Sequence, residues 1–562
     1  MEKRYDSTIL GEVYEKSMNK SERKERGSFY TPYFIVEYIV ENTLSNLDVK
    51  LNPFVKVLDP SCGSGYFLLK AYDILMKKFN ENLESIRCKF KDERYIIETK
   101  NGLKNIYGLE YWQYSNLSYH ILKECIYGAD LDEKAVELAK INLLGKSGIN
   151  FDFKNNIICC NSLIRWEREH KEHESSYMGK FWEQKYDYIL GNPPWVSLSR
   201  KHKKDIEDNL KEYYSKNYEG NTYLPNLYEY FIKRSMEILK VGGRFGFIIP
   251  DRLASNLQYK DFRKKLLERY NIINVVFEIK FPEINTDTMI IIAENKYSRH
   301  NKIKVNVYKK SIYNVEQNEY IKNLNCEFFY YHSSKSLHIK NFIDKNSLLL
   351  GDICKTFTGF IGYKEKITSF RLNKNQVEIL KGENIKKFHI SNNYYYDFIP
   401  CNIKGGTSDI KKLTSKNKII IRKTGKHLIA ALDTKGSIIE QSLYGIICLD
   451  KRFSPYYILG LLNSKLIQWY YVNFLITNAN STPQIKKFSL DRVPIINSSD
   501  VYAKNIEKLV SKLIHQREQN DILEKKLDES IFELYNIDYN YRSIILKDIE
   551  NMIGLKKGGN NV

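Results

Sequence analysis

The sequence predicts an α/β fold, a mainly parallel sheet with helices on both faces, followed by a smaller, mixed and β-rich domain. From Phe54 to about Asn295, short apolar runs alternate with amphipathic helical stretches, as parallel strands joined by crossover helices require. After about Tyr297 the texture changes to polar, aromatic and glycine-punctuated segments such as TFTGFIGYK (356–364) and IRKTGK (421–426). A chain of 562 residues also exceeds what one ordinary core can organise. The expected division is 1–296 for the α/β domain, 297–504 for the β-rich domain and 505–562 for a charged helical segment.

Seven strands are expected in the first domain: FVKVLD (54–59), CIYGAD (125–130), NIICCN (156–161), YDYILGN (186–192), RFGFII (244–249), NVVFEI (274–279) and TMIIIA (288–293). Between several of them lie helical patterns, among them EKAVELAKINLL (133–144) and YEYFIKRSMEILK (228–240). An insertion of helical stretches, about 80–123, separates the first helix from the second strand.

The net charge is +20 and is spread along the chain, which suits broad surfaces that meet a polyanion. A Lys-, Ile-, Asn- and Tyr-rich composition from an AT-rich genome would give a similar excess, so charge alone does not establish nucleic acid. Nine cysteines, an odd number without a CxxC pair, read as the reduced thiols of a cytosolic protein. The start, MEKRYDSTILGEVYEKS, lacks the apolar core of a signal peptide, and no long apolar run suggests a membrane span. A soluble, cytoplasmic protein is expected.

Chemistry concentrates at four expected strand ends. In VLDPSCGSGYFLLKAYDIL (57–75) a strand ends at Asp59, a turn carries Gly63 and Gly65, and a helix begins. Glycines there let a ligand approach the backbone, and a helix start favours an anionic group. No third glycine completes a dinucleotide fingerprint, and no GxxxxGK[ST] marks a P-loop. The second strand ends at Asp130, an acid that can accept both hydroxyls of a ribose, with Asp132 the better helix cap. The third ends at Asn161-Ser162, where an amide could meet the edge of an adenine, or simply turn the chain. The fourth runs into Asn192-Pro193-Pro194-Trp195. Consecutive prolines fix the backbone and remove two donors, so carbonyl oxygens remain as pure acceptors. Asn192 adds a side-chain oxygen, and Trp195 offers a face on which a planar base can stack.

These motifs, in this order, resemble the gamma class of DNA adenine-N6 methyltransferases, the TaqI-like group. The resemblance implies a Rossmann-like, seven-stranded S-adenosylmethionine-dependent methyltransferase domain and a C-terminal target-recognition domain. GSFYTP (27–32) matches the family's N-terminal motif, and NLYEYFIKRSMEILKVGG (226–243) and KFPEINTDTMIII (280–292) match later ones. By resemblance, S-adenosyl-L-methionine would lie against Tyr30, Thr31, Asp59, Pro60, Ser61, Gly63, Gly65, Asp130, Leu131, Asn161, Ser162, Pro194 and Phe231. Asn192, Pro193, Pro194 and Trp195 would be the catalytic tetrapeptide, with Trp195 and Phe281 holding the two faces of a flipped base. Asn161 stands where the family usually has Asp, and Trp195 where Tyr is commoner. An amide oxygen still accepts from an adenine amine, and an indole still stacks.

The implied reaction is methyl transfer to adenine N6 in duplex DNA held in a basic cleft between the domains. It leaves S-adenosyl-L-homocysteine and needs no metal. His170 and His173, in REHKEHE (168–174), lack partners at metal-ligand spacing. Arg422, Lys423, Lys426, Lys486 and Lys487 are the candidate phosphate contacts, with solvated loop charges as the plainer reading. A monomer is expected. Only 26 residues precede GSFYTP, too few for a fused nuclease, which leaves room for a separate restriction endonuclease. Transfer to RNA or to a protein glutamine, or a non-catalytic DNA-binding specificity protein, are the alternative readings.

Overall fold

The computed structural model describes residues 31–99, 102–149, 156–168, 173–198, 208–218, 225–281, 286–323, 325–330, 334–476, 484–498, 500–516 and 520–554. The chain forms two compact units, Met1–Phe329 and Tyr330–Val562.

The first unit is built on one sheet. Its elements are α1 (Tyr33–Thr43), β1 (Val57–Asp59), α2 (Tyr66–Phe90), β2 (Arg94–Thr99), β3 (Gly102–Tyr107), β4 (Ile126–Asp130), α3 (Glu133–Ser147), β5 (Ile157–Cys159), α4 (His173–Glu183) and β6 (Tyr186–Gly191). They continue with α5 (Asp208–Asn217), α6 (Leu227–Ile238), β7 (Leu239–Pro250), α7 (Lys260–Arg269), β8 (Asn271–Lys280), β9 (Asp287–Glu294), β10 (Lys302–Val307) and β11 (Ser311–Glu316). The strand order is β11-β10-β8-β9-β7-β6-β1-β4-β5. Strands β5, β4, β1, β6 and β7 run parallel to one another, and β9 lies antiparallel between β7 and β8.

All seven expected strands are present, but the sheet has nine. Residues 302–307 pair in parallel with β8, and 311–316 close the edge antiparallel to them. Ile303, Val305 and Val307 alternate inward and are fully buried, so this hairpin belongs to the first unit's core. The boundary therefore falls at 329/330 and not at 296/297. Strand β1 lies at the point where the strand order reverses. The chain leaves β1 for β4 and β5 on one side and returns to β6 on the other. Loops leaving the carboxyl ends of β1 and β6 consequently diverge, which is where open α/β sheets form their binding crevice.

Helix α2 buries Phe67, Leu68, Ala71, Tyr72, Leu75 and Phe79, the spacing of one apolar face. The 80–123 insertion is not wholly helical. It holds the end of α2 and an antiparallel hairpin of β2 and β3, in which Thr99 pairs with Gly102. Tyr95 stacks on Tyr111 at 4.2 Å, and His120 Nε2 donates to the Pro53 carbonyl at 2.7 Å. Tyr111 Oη in turn donates to His120 Nδ1 at 2.8 Å, and burial lowers that imidazole to about 4. The insertion is thus pinned beside the entry to β1.

The second unit centres on an antiparallel sheet of β12 (Cys354–Thr358), β13 (Lys418–Arg422), β14 (Ala430–Asp433) and β15 (Leu443–Cys448), in the order β12-β15-β13-β14. Helix α8 (Pro455–Asn463) starts with Pro455 behind Ser454, whose Oγ accepts the Tyr457 amide. After α9 (Lys465–Tyr470) come α10 (Asp500–His515), α11 (Asp521–Leu534) and α12 (Tyr539–Gly554). Ile506, Val510, Leu527 and Ile531 share one core with Ile419, Ile421 and Leu461. Residues 505–562 are therefore not a separate segment. Their described helices complete the second unit, because their apolar faces have no other core to enter.

Candidate active site

At the carboxyl end of β1, Asp59 is buried and its Oδ1 accepts the Ser61 amide at 2.9 Å. Its Oδ2 is buried without a hydrogen-bond partner among the described residues. Burial pushes the Asp59 carboxyl well above its ordinary range, and the nearby Asp130 adds to the shift. The turn that follows uses positive φ at Gly63 (51°) and at Gly65 (92°), where the latter caps α2. A Cβ on Gly65 would also stand 3.1 Å from that of Ala139. Cys62, inside the turn, is a buried thiol whose pKa burial raises well above normal, which disfavours the thiolate.

Asp130 ends the neighbouring β4. Its Oδ2 accepts the Gly63 amide and its Oδ1 the Asp132 amide, both at 2.9 Å. The two strand tips are thus tied through a carboxylate that keeps further lone pairs. Burial raises this carboxyl as well. Asp132 caps α3 by accepting from Lys134 and Ala135 amides, as its position in the sequence suggests. Leu131, between them, is 74% exposed.

Strand β6 ends at Gly191, beside Asp59; a Cβ there would lie 2.6 Å from Asp59 Oδ1. Next come Asn192 and Pro193. The Asn192 carbonyl accepts the Ser61 hydroxyl at 3.3 Å, and its side-chain Nδ2 donates to Thr31 Oγ1 at 3.0 Å. Thr31 is delivered by α1, which packs on β6 and β7. Beyond Trp195 the chain pairs with the segment before α6: Leu227 N donates to Val196 O, and Leu198 N to Pro225 O. The tetrapeptide is therefore braced on three sides, by Thr31, Ser61 and the start of α6.

Other expected contacts fall differently. Asn161 has both ends of its amide engaged: Oδ1 accepts the Leu163 amide at 3.0 Å and Nδ2 donates to Tyr214 Oη at 2.8 Å. Ser162 is buried and donates to the Pro60 carbonyl at 2.6 Å, so it ties the β5 and β1 loops together. Phe231, on α6, packs in a cluster with Leu163, Tyr214, Tyr218 and Tyr230. Little in the residue pattern singles out Tyr214. Its only signal is the aromatic pair in KEYYSK on an otherwise charged helix. Trp195 and Phe281 do meet, edge to face, with ring centroids 5.2 Å apart. Tyr30 and His170 lie outside the described residues, as does the side chain of His173. No group of three or more potential metal ligands occurs among the described residues. No helix there is long and apolar enough to cross a membrane.

In the second unit, the two basic segments are brought side by side. Thr424 bridges Gln484, and Ile485 N donates to Lys423 O at 2.7 Å. Lys426 is exposed, whereas Lys487 is paired with Asp491 at 2.6 Å and Lys486 sits over the Phe488 ring. Lys423 is not a surface charge. Its ammonium donates to Thr358 Oγ1 and lies 4.4 Å over the Tyr444 ring, and burial lowers it to about 8. Arg422 is half-buried on the last position of β13.

The fold and this site define a class: an α/β unit with a crevice at its switch point and an Asn-Pro-Pro-Trp corner beside it. Comparison with known proteins agrees. Residues 124–281 match the Eco57I restriction-modification methylase family, and residues 377–495 match the TaqI-like C-terminal specificity domain. The chain thus carries both segments, and its relatives include proteins named type II methyltransferases, as the resemblance in its motifs implies. The type II restriction enzyme and methyltransferase RM.Eco57I of Escherichia coli is 28% identical over 297 residues, 47% of this chain and 28% of that protein. The type II methyltransferase M.BstVI of Geobacillus stearothermophilus is 29% identical over 251 residues, 44% of this chain and 38% of that protein. The matched region is thus well under half the length of either relative. The solved structure of the type IIL restriction-modification enzyme MmeI in complex with DNA shares the fold, with a TM-score of 0.56 at 13% identity, over 98% of this chain and 82% of that one.

Proposed function

We propose that the chain transfers a methyl group from S-adenosyl-L-methionine to the N6 amine of an adenine flipped out of duplex DNA. One observation carries this reading: the cofactor turn and the Asn-Pro-Pro-Trp corner meet, joined by the 3.3 Å hydrogen bond from Ser61 to the Asn192 carbonyl. Methyl donor and amine acceptor would therefore be held on a single rigid frame, and such positioning is the main source of rate in a transfer of this kind.

The residues present fit the donor. A buried carboxylate oxygen of Asp59 lacks a partner among the described residues, and a cationic ligand with ammonium hydrogens would supply one. Gly63 and Gly65 keep the turn free of side chains, Asp130 retains lone pairs for ribose hydroxyls, and Leu131 offers an apolar surface. Bound there, the sulfonium supplies an electrophilic methyl group. Asn161 contributes through its placement, since its oxygen already accepts one amide and has one further lone pair to offer.

At the corner, the Asn192 side-chain oxygen and the Pro193 carbonyl would accept the two hydrogens of the target amine. Those contacts draw the nitrogen lone pair out of conjugation with the ring and oppose the positive charge that develops on it. Trp195 and Phe281 would hold the base faces. The second unit, through its TaqI-like specificity segment, would select the sequence. Asn192→Ala tests the assignment: donor binding should persist while methyl transfer is lost.

A further inference from the structure

We propose that Thr31 is a positioning residue whose hydroxyl oxygen sets the orientation of the Asn192 amide. The inference rests on reading Asn192 as an acceptor of the target amine. An asparagine amide has a donor end and an acceptor end, and rotation by half a turn exchanges them. Only one orientation turns the oxygen toward an amine that must be gripped. The other presents two N–H donors, which would repel the substrate's own hydrogens.

The frame around Asn192 holds the first orientation, in which the Thr31 hydroxyl accepts from Nδ2. Its backbone is fixed by the strand end of β6, by the Ser61 hydroxyl on its carbonyl and by the proline that follows. The side chain is then fixed by the 3.0 Å bond from Nδ2 to Thr31 Oγ1. Thr31 itself is buried and precedes Pro32, whose carbonyl accepts the first amides of α1. Both features hold its Oγ1 in place at low cost in entropy. The bond assigns Nδ2 to Thr31 and directs Oδ1 to the opposite end of the amide. Orienting Asn192 would be a role of Thr31 beside the donor contact that the resemblance implies.

The test compares Thr31→Val, which keeps the shape but removes the acceptor, with Thr31→Ser, which keeps it. Steady-state methyl transfer to duplex DNA is measured beside calorimetric binding of S-adenosyl-L-methionine. Thr31→Val should lower kcat about tenfold, a loss that persists at saturating S-adenosyl-L-methionine, and Thr31→Ser should restore kcat. An unchanged kcat in Thr31→Val, an equal loss in Thr31→Ser, or a loss seen wholly as weaker donor binding would overturn the inference. The side-chain NH2 signals of Asn192, assigned by their loss in Asn192→Ala, give a readout independent of turnover. They should shift in Thr31→Val, and unshifted signals overturn the contact. A wild-type protein that transfers no methyl group while these signals shift would instead overturn the proposed reaction.

Discussion

Trp195 and Phe281 stand edge to face with their ring centroids 5.2 Å apart. A purine held face to face between two rings needs two stacking distances between them, so this pair must part before a base can enter. Each ring shields the other from water until then. With 2-aminopurine at the target position, wild-type protein should raise the base's fluorescence as it leaves the stack. Trp195→Ala should weaken capture by about 1–3 kcal/mol, roughly 5–150-fold. Fluorescence and affinity equal to wild type in that variant would remove Trp195 from the base pocket.

Asp59 supports a prediction that separates stability from binding. Its folded-state pKa lies above the ordinary 3.8, so only between the two values does the native state keep a proton that the unfolded chain has lost. Stability from this group is therefore fullest below the unfolded value and declines as pH rises toward the folded value. Asn at this position removes that ionisation cost. Asp59→Asn should melt at a higher temperature at pH 7 and bind S-adenosyl-L-methionine less tightly by about 1.5–3 kcal/mol. Unchanged donor affinity would show that the buried carboxylate does not face the donor.

The basic edge of the second unit divides its lysines. If exposed Lys426 contacts a phosphate, Lys426→Gln should reduce the slope of log affinity against log salt by about 0.9. Lys423→Met should leave that slope alone, because its ammonium is turned to Thr358 and Tyr444. Its lowered pKa has the opposite sign to that of Asp59. The native state carries fewer protons between about 8 and 10.5, so the stability contribution of Lys423 grows as pH rises through that window. A slope that falls for Lys423→Met and not for Lys426→Gln would reverse the assignment.

The terminal helices are structural. Ile506 is fully buried in the second unit's core, and Ile506→Ala should cost about 2–5 kcal/mol in denaturant unfolding. A loss below about 0.5 kcal/mol would mean that α10 is dispensable packing.

Much of this was readable from residues alone. The seven strands of the first unit announced themselves because each is apolar on both faces, and the tips at Asp59, Asp130 and Asn192 follow from where those runs stop. The edge strands β10 and β11 did not, since KIKVNV and SIYNVE alternate like any half-exposed β segment and carry no mark of which sheet they join. The β2–β3 hairpin was masked by its charges. The partners of side chains were least legible: Lys423 reads as a surface cation, and neither the Thr31–Asn192 bond nor the Asn161–Tyr214 bond leaves any spacing in the sequence, because each joins residues far apart in the chain.

Methyl transfer at Asn192 is the step on which the other roles depend. Purified protein, labelled S-adenosyl-L-methionine and duplexes of varied sequence can be combined, and the DNA digested to nucleosides for mass spectrometry. The proposed reaction puts label in N6-methyladenine with wild type and none with Asn192→Ala. Label confined to cytosine, or equal transfer by the two proteins, would contradict it.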